Sequence, residues 1–286
     1  MNGNIVWLAS YPKSGNTWFR AFITNLMGSD DEPPGINSLT GEPASSRIFF
    51  DAISGTDSSN LFPDEVDELL PAFFNKISRD SKDICYLKTH AAYRYLPDTR
   101  PVFPPEATRC VIYIVRNPLD IVPSFAYFMN IDLDNAIARL NNDEYVLNAE
   151  RNDITNQLSQ KLLSWSGHVL SWLNAPSGMT VHLMRYEDMI RNPVETFWNA
   201  AKAIGLEKSK GEIERALEFS SFEKLRELER QEGFREKPPW AQSFFRQGKA
   251  GAWRGTLTVM QMETIITKHG AVMRRLGYLD TNGNPV

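Results

Sequence analysis

The chain has 286 residues, of which 42% are hydrophobic and 23% are charged, and its formal net charge is −4. These proportions are ordinary for a globular protein with a large core, and we expect a single domain over residues 1–286. The negative net charge argues against a protein that binds nucleic acid by bulk electrostatics. Any anionic ligand must therefore be held by a local cluster of cations and N–H groups.

The sequence has no segment that predicts membrane insertion. The first residues lack the basic segment and the long apolar stretch of a signal peptide, and no apolar run approaches the roughly 20 residues needed to cross a bilayer. We therefore expect no membrane span and a cytoplasmic location.

Strands and helices are predicted to alternate along most of the chain. Short, almost wholly apolar runs are typical of buried strands, and apolar residues three or four apart are typical of helices. The predicted strands cover residues 5–9, 84–87, 109–115 and 180–185. The predicted helices cover residues 17–27, 62–78, 153–174, 194–205, 210–219, 221–230 and 258–276. This order predicts an α/β fold with a mainly parallel central sheet flanked by helices.

Two long stretches are predicted to be loops. Residues 28–59 are rich in Gly, Pro, Ser and Asp, and residues 231–256 are polar, charged and without periodicity. Loops of this length are usually functional or disordered, and loops held on a rigid sheet commonly shape ligand sites. We expect the first stretch to contribute to the specificity of a ligand site.

The stretch between the first predicted strand and the first helix has the features of an anion-binding loop. It reads Ser10-Tyr11-Pro12-Lys13-Ser14-Gly15-Asn16-Thr17-Trp18. The first N–H groups of a helix lack partners inside the helix and carry the positive end of its dipole, so they bind phosphate or sulfate. Gly15 allows close approach of the backbone, and Lys13 adds a positive charge. The hydroxyl groups of Ser14 and Thr17 can donate to the same anion.

Two other interpretations of this loop stay open. The usual phosphate-binding loop places Lys directly after a second Gly and follows it with a Ser or Thr that holds magnesium. Lys13 instead stands two residues before Gly15, which argues against a magnesium-dependent nucleoside or small-molecule kinase. An ordinary strand-to-helix turn with an exposed lysine would also fit the pattern.

The loop resembles the 5′-phosphosulfate loop of the PAPS-dependent sulfotransferases, whose motif is close to T-Y-P-K-S-G-T-T-W. Ser10 and Asn16 replace two threonines of that motif, and both keep a polar side chain. The resemblance implies a P-loop-like sulfotransferase fold, with PAPS as the sulfuryl donor, PAP as the product and no metal. It also implies nucleotide contacts from Lys13, Ser14, Gly15, Asn16, Thr17 and Trp18.

Lys88-Thr89-His90 resembles the K-T-H strand end of the same family, in which the histidine is the general base. An imidazole that titrates near neutrality is suited to take the proton of an acceptor hydroxyl. A lone histidine is more often a structural hydrogen-bonding residue, but the place of His90 after Lys-Thr favours the catalytic interpretation. The resemblance further implies that Lys88 and Lys13 stabilise negative charge on the reacting group.

Arg116 and Ser124 match the family's R-N-P-x-D-x-x-x-S element, which holds the 3′-phosphate of PAPS. Asn117 and Pro118 are typical of a helix cap and first helical residue, so a helix is predicted to begin here. Pro123 departs from the pattern and is expected to bend this helix and displace Ser124.

The stretch from Arg246 to Arg254 resembles the family segment R-K-G-x-x-G-D-W-K, which closes over the nucleotide. The resemblance implies that Arg246, Gln247 and Gly248 complete the 3′-phosphate site. Gln247 replaces a Lys and Ala252 replaces an Asp, so we expect a weaker phosphate clamp or a different anchor for the loop.

Aromatic residues matching the family's adenine contacts are Trp18, Tyr186 and Phe222, and Ser220 stands beside Phe222. Aromatic faces stack on bases with about 1 to 3 kcal/mol each. Outside this context such residues would mostly belong to the core.

The sequence therefore predicts a PAPS-dependent sulfotransferase that acts on a hydroxyl, or secondarily an amine, of a small-molecule or lipid acceptor. A non-catalytic protein that only binds an adenosine bisphosphate is the second alternative beside the kinase. Residues 254–263 resemble the family's short dimerisation motif, so a homodimer is expected. No nucleic-acid partner is predicted.

Overall fold

The computed structural model describes residues 3–28, 33–149 and 155–286. Within these ranges the chain forms seven β-strands and eleven α-helices. The strands are β1 Ile5–Ser10, β2 Glu42–Pro43, β3 Cys85–Thr89, β4 Thr108–Val115, β5 Val146–Leu147, β6 Gln160–Lys161 and β7 Val181–Arg185. The helices are α1 Asn16–Met27, α2 Arg47–Ser54, α3 Pro63–Asp80, α4 Pro118–Met129, α5 Leu133–Asn141, α6 Trp165–Leu173, α7 Tyr186–Arg191, α8 Pro193–Ile204, α9 Lys210–Phe219, α10 Phe222–Glu232 and α11 Val259–Arg275.

Five of the strands form one sheet in the order β2-β3-β1-β4-β7. β1 and β3 pair in parallel, from Ile5 opposite Cys85 to Ala9 opposite Thr89, and β2 pairs in parallel with β3. β5 and β6 form a separate antiparallel pair. The predicted α/β class with a mainly parallel central sheet is confirmed.

The middle of the sheet is buried because its strands are almost wholly apolar. Every residue of β1 is fully buried, and β4 from Cys110 to Val115 is at most 2% exposed. Strands of a parallel sheet that is covered on both faces have such continuous apolar sequences. The indole N–H of Trp7 on β1 donates to the hydroxyl of Thr108 on β4 at 2.9 Å, which satisfies a polar atom in this apolar layer.

The chain divides into two compact units. The first unit comprises the described residues of Met1–Tyr11, Gly41–Tyr113 and Asn142–Leu183, and it includes most of the sheet. The second unit comprises the described residues of Pro12–Thr40, Ile114–Asn141 and Met184–Val286. The predicted nucleotide contacts all belong to the second unit, whereas Lys88 and His90 belong to the first.

The helix predicted over residues 153–174 is wrong for most of its length, and its first two residues lie outside the described residues. β6 pairs with β5 where the apolar spacing predicted a helix. Leu163 has a φ of 63°, a left-handed conformation that a continuous α-helix does not allow. The hydroxyl of Ser164 then accepts from the N–H of Gly167 at 3.2 Å, so this serine caps α6 and the helix begins at Trp165.

The loop predicted over residues 28–59 is also only partly correct, and residues 29–32 lie outside the described part of the chain. α2 forms inside this stretch, where the hydroxyl of Ser46 accepts from the N–H of Phe49 and caps the helix. The composition of the stretch concealed a helix of eight residues. By contrast, the structure has no helix or strand between α10 and α11, as predicted for the loop over residues 231–256.

No helix in the described ranges is both long enough and apolar enough to span a bilayer.

Candidate functional site

The loop before α1 has the geometry of an anion-binding turn. β1 ends at Ser10 and α1 begins at Asn16, with Gly15 as its N-cap at a φ of 106°. No side chain caps this helix, so its first-turn N–H groups are not covered by a capping group. A Cβ atom at Gly15 would lie 2.7 Å from the ring of Tyr186, so only glycine fits between this ring and the helix start.

Two side chains of the loop present polar atoms that the rest of the described chain does not satisfy. Ser14 is 1% exposed, and its hydroxyl has no hydrogen-bond partner among the described residues. The same holds for the buried indole N–H of Trp18. A buried polar group without a partner costs about 1 to 3 kcal/mol, so these atoms fit a site that a polar ligand completes. Asn16 is buried and Thr17 is partly buried beside them.

The ammonium of Lys13 lies between two aromatic rings. Its Nζ is 4.3 Å from the ring centre of Phe128 on α4 and 4.2 Å from that of Phe244. Both distances are within the range of cation–π attraction. The two rings therefore restrain the position of the ammonium in the second unit. This contact was not predicted, because Phe128 and Phe244 lie more than 100 residues from Lys13 in the chain.

Arg116 connects the first loop with the segment that precedes α11. Its Nη1 donates to the carbonyl of Lys13 at 3.1 Å, and its Nη2 donates to the carbonyl of Lys249 at 3.1 Å. The guanidinium also lies 4.2 Å from the ring centre of Tyr186. Its Nε is buried and has no hydrogen-bond partner among the described residues. Arg116 thus holds both segments and keeps a donor for a ligand.

The main chain around Arg116 is fixed by two polar groups. The side chain of Asn117 accepts from the N–H of Leu119 at 3.0 Å, which confirms the predicted helix cap. The N–H of Asn117 donates to Glu187 at 2.9 Å, and Glu187 also accepts from the hydroxyl of Tyr278 at 2.9 Å. Burial raises the pKa of Glu187, and these two donors stabilise its charged form.

Asp120 anchors the segment in which Ala252 replaces the family's Asp. Its carboxylate, 3% exposed, accepts from the N–H groups of Gly251 at 2.7 Å and of Trp253 at 3.0 Å. One buried carboxylate of α4 thus holds the main chain on both sides of Ala252. A different anchor from that of the family stays a prediction. In the sequence, Asp120 was noticeable only as part of the Arg-Asn-Pro-x-Asp string, where an acidic residue is also typical of the first turn of a helix.

Gly248 lies directly against Phe222 at the start of α10. Its φ is 60°, and a Cβ atom there would lie 2.4 Å from the Phe222 ring. Arg246, Gln247 and Gly248 are all exposed, and the guanidinium of Arg246 lies 4.7 Å from the ring centre of Tyr127. The segment therefore combines an exposed cation with a tight backbone turn.

The preceding part of this loop is held by two side chains that sequence analysis missed. The carboxylate of Glu229 accepts from the N–H groups of Phe244 at 2.6 Å and Phe245 at 3.0 Å. The hydroxyl of Tyr127 accepts from the N–H of Gln242 at 3.0 Å. These bonds give a stretch without regular structure fixed main-chain positions.

Two serines that were predicted to contact the nucleotide are at least partly buried. Ser220 is fully buried, and its hydroxyl donates to the carbonyl of Ala216 at 2.7 Å, so it could donate to a ligand only by giving up that bond. Ser124 is partly buried on α4, which continues past Pro123 to Met129.

In the first unit, His90 directly follows β3, as predicted. Its N–H donates to the side-chain oxygen of Gln160 at 3.0 Å, and its Nδ1 lies 2.8 Å from the carbonyl oxygen of Ser10. A carbonyl can only accept, so Nδ1 carries the proton, and in the neutral ring Nε2 is the basic nitrogen. Lys88 is partly buried on β3, paired with Leu8 of β1.

The residues of the expected dimerisation motif lie at the start of α11. Val259 is 65% exposed and Met260 is 76% exposed. The hydroxyl of Thr258 accepts from the N–H of Gln261 at 3.2 Å and caps the helix. The described residues contain no group of three or more His, Cys, Asp or Glu side chains arranged to hold a metal ion.

Replacing Asp120 by Ala should free the 251–253 segment. A hydrogen bond to a charged group contributes about 1.5 to 3 kcal/mol, so the amides of Gly251 and Trp253 should exchange with solvent more than about tenfold faster. Hydrogen exchange followed by mass spectrometry or NMR measures this change. The amides of Phe244 and Phe245, which bind Glu229, are the internal control and should keep their rates. Unchanged exchange at Gly251 and Trp253 would show that Asp120 is not their anchor.

Comparisons with known proteins agree with this architecture. A family model described as sulfotransferase domain matches residues 4–277. A flavonol 3-sulfotransferase of Flaveria bidentis is 27% identical over 281 residues, covering 92% of this chain and 79% of the relative. A flavonol 4′-sulfotransferase of Flaveria chlorifolia is 25% identical over 273 residues, covering 91% of this chain and 76% of the relative.

Two solved structures share the fold at low sequence identity. A mouse sulfotransferase complexed with PAP has a TM-score of 0.62 at 22% identity, covering 96% of this chain and 87% of that one. A retinol dehydratase in complex with androsterone and inactive cofactor PAP has a TM-score of 0.64 at 14% identity, covering 99% and 84%. These matches confirm the predicted sulfotransferase fold. The family model covers nearly the whole chain, so the protein belongs to the sulfotransferase domain family.

Proposed function

We propose that the chain acts as a single sulfotransferase domain over residues 1–286 and transfers the sulfuryl group of PAPS to an acceptor hydroxyl. The observation that carries this proposal is the position of Arg116, whose guanidinium bonds both the Lys13 and the Lys249 carbonyls and keeps a buried donor. Such an arrangement is suited to a nucleotide with two separate anionic groups. The complexes of the mouse sulfotransferase and of the retinol dehydratase with PAP support this choice of nucleotide.

The phosphosulfate end is assigned to the loop before α1. The start of α1 supplies N–H donors, and the buried hydroxyl of Ser14 has no competing partner among the described residues. The assigned residues are Lys13, Ser14, Gly15, Asn16, Thr17 and Lys88.

The 3′-phosphate end is assigned to the segments that Arg116 and Asp120 hold. Arginine suits this role because its planar fork can give two hydrogen bonds to one phosphate. The assigned residues are Arg116, Ser124, Arg246, Gln247 and Gly248. The site of the adenine ring is assigned to Trp18, Tyr186, Ser220 and Phe222. Of these, Phe222 has the most direct support, because its ring packs against Gly248 of the proposed 3′-phosphate site.

The proposed chemistry is an in-line displacement at sulfur. The Ser10 carbonyl holds the imidazole proton of His90 on Nδ1, so Nε2 is the basic nitrogen. Nε2 takes the proton of the acceptor hydroxyl as the hydroxyl oxygen forms a bond to sulfur. The bond between sulfur and the bridging oxygen of the donor breaks, and that oxygen leaves with the electron pair. Lys13 and Lys88 stabilise the charge that develops on it.

The acceptor is proposed to be a small molecule with a hydroxyl group. Two relatives are named for flavonols, which are phenols, and this favours a hydroxyl over an amine or a lipid acceptor. A homodimer through residues 254–263 is proposed from the exposed Val259 and Met260. A cytoplasmic location stays a prediction.

The proposed function is tested by transfer of labelled sulfate from PAPS to a panel of phenols, alcohols, amines and lipids in excess EDTA. Transfer to at least one hydroxyl acceptor should persist, because lysines and N–H groups supply the charge stabilisation. A nucleoside or small-molecule kinase would instead need magnesium and a nucleoside triphosphate. No sulfate transfer, together with Mg²⁺-dependent phosphoryl transfer from a nucleoside triphosphate to an acceptor of the same panel, would favour the kinase. PAP binding without transfer to any acceptor would favour the non-catalytic binder.

Replacing His90 by Ala should remove transfer but not nucleotide binding. A general base contributes about 10²- to 10⁴-fold to the rate, so kcat should fall by that factor. The dissociation constant of PAP, measured by calorimetry, should stay within about twofold, because the proposed nucleotide contacts of the second unit are intact. A fully active His90→Ala variant would overturn the proposed role of His90.

A further inference from the structure

Helix α6 binds the main chain that follows β3. The imidazole of His168 and the indole N–H of Trp172 bond the carbonyls of residues 90 and 91, both at 3.0 Å, and the hydroxyl of Ser171 accepts from the N–H of residue 93 at 3.0 Å. These three side chains stand at positions i, i+3 and i+4, so they share one face of the helix. One helix face therefore sets the path of the chain directly after the catalytic strand end.

The contact from His168 is aimed at His90 itself. Its Nε2 lies 3.0 Å from the His90 carbonyl oxygen, while the His90 N–H is bound by Gln160 and its Nδ1 by the Ser10 carbonyl. The main-chain donor, the main-chain acceptor and the ring of His90 are thus each fixed by a different element of the first unit. Of these three contacts, only the one from His168 depends on the tautomer of another side chain.

That tautomer is set by a buried tyrosine. His168 is fully buried, and its Nδ1 lies 2.7 Å from the hydroxyl of Tyr113 on β4. Burial raises the pKa of Tyr113 well above its ordinary value, so the hydroxyl keeps its proton. The His90 carbonyl can only accept, so Nε2 of His168 donates to it and the Tyr113 hydroxyl donates to Nδ1. Burial also lowers the pKa of His168 to about 4, so the ring is neutral. With Nδ1 as acceptor, Nε2 carries the single proton and donates to His90.

We propose that His168 is a positioning residue for His90, held as the Nε2–H tautomer by Tyr113 so that it fixes the peptide that carries the base. This rests on the proposed role of His90 as the base. Misplacement of a catalytic group by about 1 Å can cost about 10²-fold in rate. The loss should appear in kcat, because the proposed nucleotide contacts lie mostly in the second unit.

The test compares three variants in the full chain. His168→Leu keeps the apolar volume but removes the donor, and we expect kcat to fall about 10- to 100-fold with the KM for PAPS and the affinity for PAP within about twofold. His168→Gln offers an amide N–H near the position of Nε2 and should keep kcat within about threefold of wild type. Tyr113→Phe changes the side-chain volume little but removes the hydroxyl that bonds Nδ1 of His168. Nδ1 can then carry the single imidazole proton, and kcat should fall severalfold.

His182→Gln is the histidine control, because His182 on β7 is partly buried and does not take part in the network around His168. Its kcat should be that of wild type. Thermal melting checks that each variant is folded, and if His168→Leu is not, Tyr113→Phe decides. In the His90→Ala background, His168→Leu should cost little further rate, because a positioning residue acts only through the group it positions.

Three results would overturn the proposal. The first is a wild-type kcat in folded His168→Leu and Tyr113→Phe. The second is a His168→Gln variant whose kcat is as low as that of His168→Leu. The third is a loss of rate from His168→Leu in the His90→Ala background that is as large as in the wild type. A failure of the proposed function is distinguishable, since it would appear as an active His90→Ala variant whatever the His168 variants do.

Discussion

The second unit depends on the hydrogen bonds that the guanidinium of Arg116 gives to two carbonyl groups. The carbonyls belong to Lys13 and Lys249, which are more than 200 residues apart in the chain, and the ring of Tyr186 supports the same guanidinium. A lysine could not replace it, because a single ammonium lacks the planar fork and the flat face. One cation thus fixes the distance between two segments that bind anions in the proposed mechanism.

Three carboxylates stabilise these segments by accepting from main-chain N–H groups. Asp120, Glu187 and Glu229 each accept from main-chain N–H groups of the loops or of the α4 start. These carboxylates are hydrogen-bonded to fixed N–H groups of the protein, while Arg246 is exposed. In the proposed function, a chain with a net charge of −4 can thus hold an anion through local donors. Anion binding would depend on the local arrangement of donors and not on the net charge of the chain.

Local signals predicted the parts of this structure that local physics determines. The apolar runs gave β1, β3, β4 and β7 within one or two residues, and Asn117 caps α4 as its sequence context indicated. The break at Leu163 was missed, because apolar spacing alone does not report a left-handed residue. The Asp120 anchor and the rings around Lys13 were missed because their partners lie more than 100 residues away. The binding roles of the predicted site residues stay predictions, and the structure adds the contacts that position them.

The central claim is that the second unit recognises a nucleotide by a separate 3′-phosphate, and calorimetric binding of PAP and of 5′-AMP tests it most directly. Each charged hydrogen bond to the extra phosphate contributes about 1.5 to 3 kcal/mol, so PAP should bind at least about tenfold more tightly than 5′-AMP. The variant Arg246→Ala should reduce this difference by weakening PAP alone. Equal affinities of the wild-type protein for the two nucleotides would contradict the account.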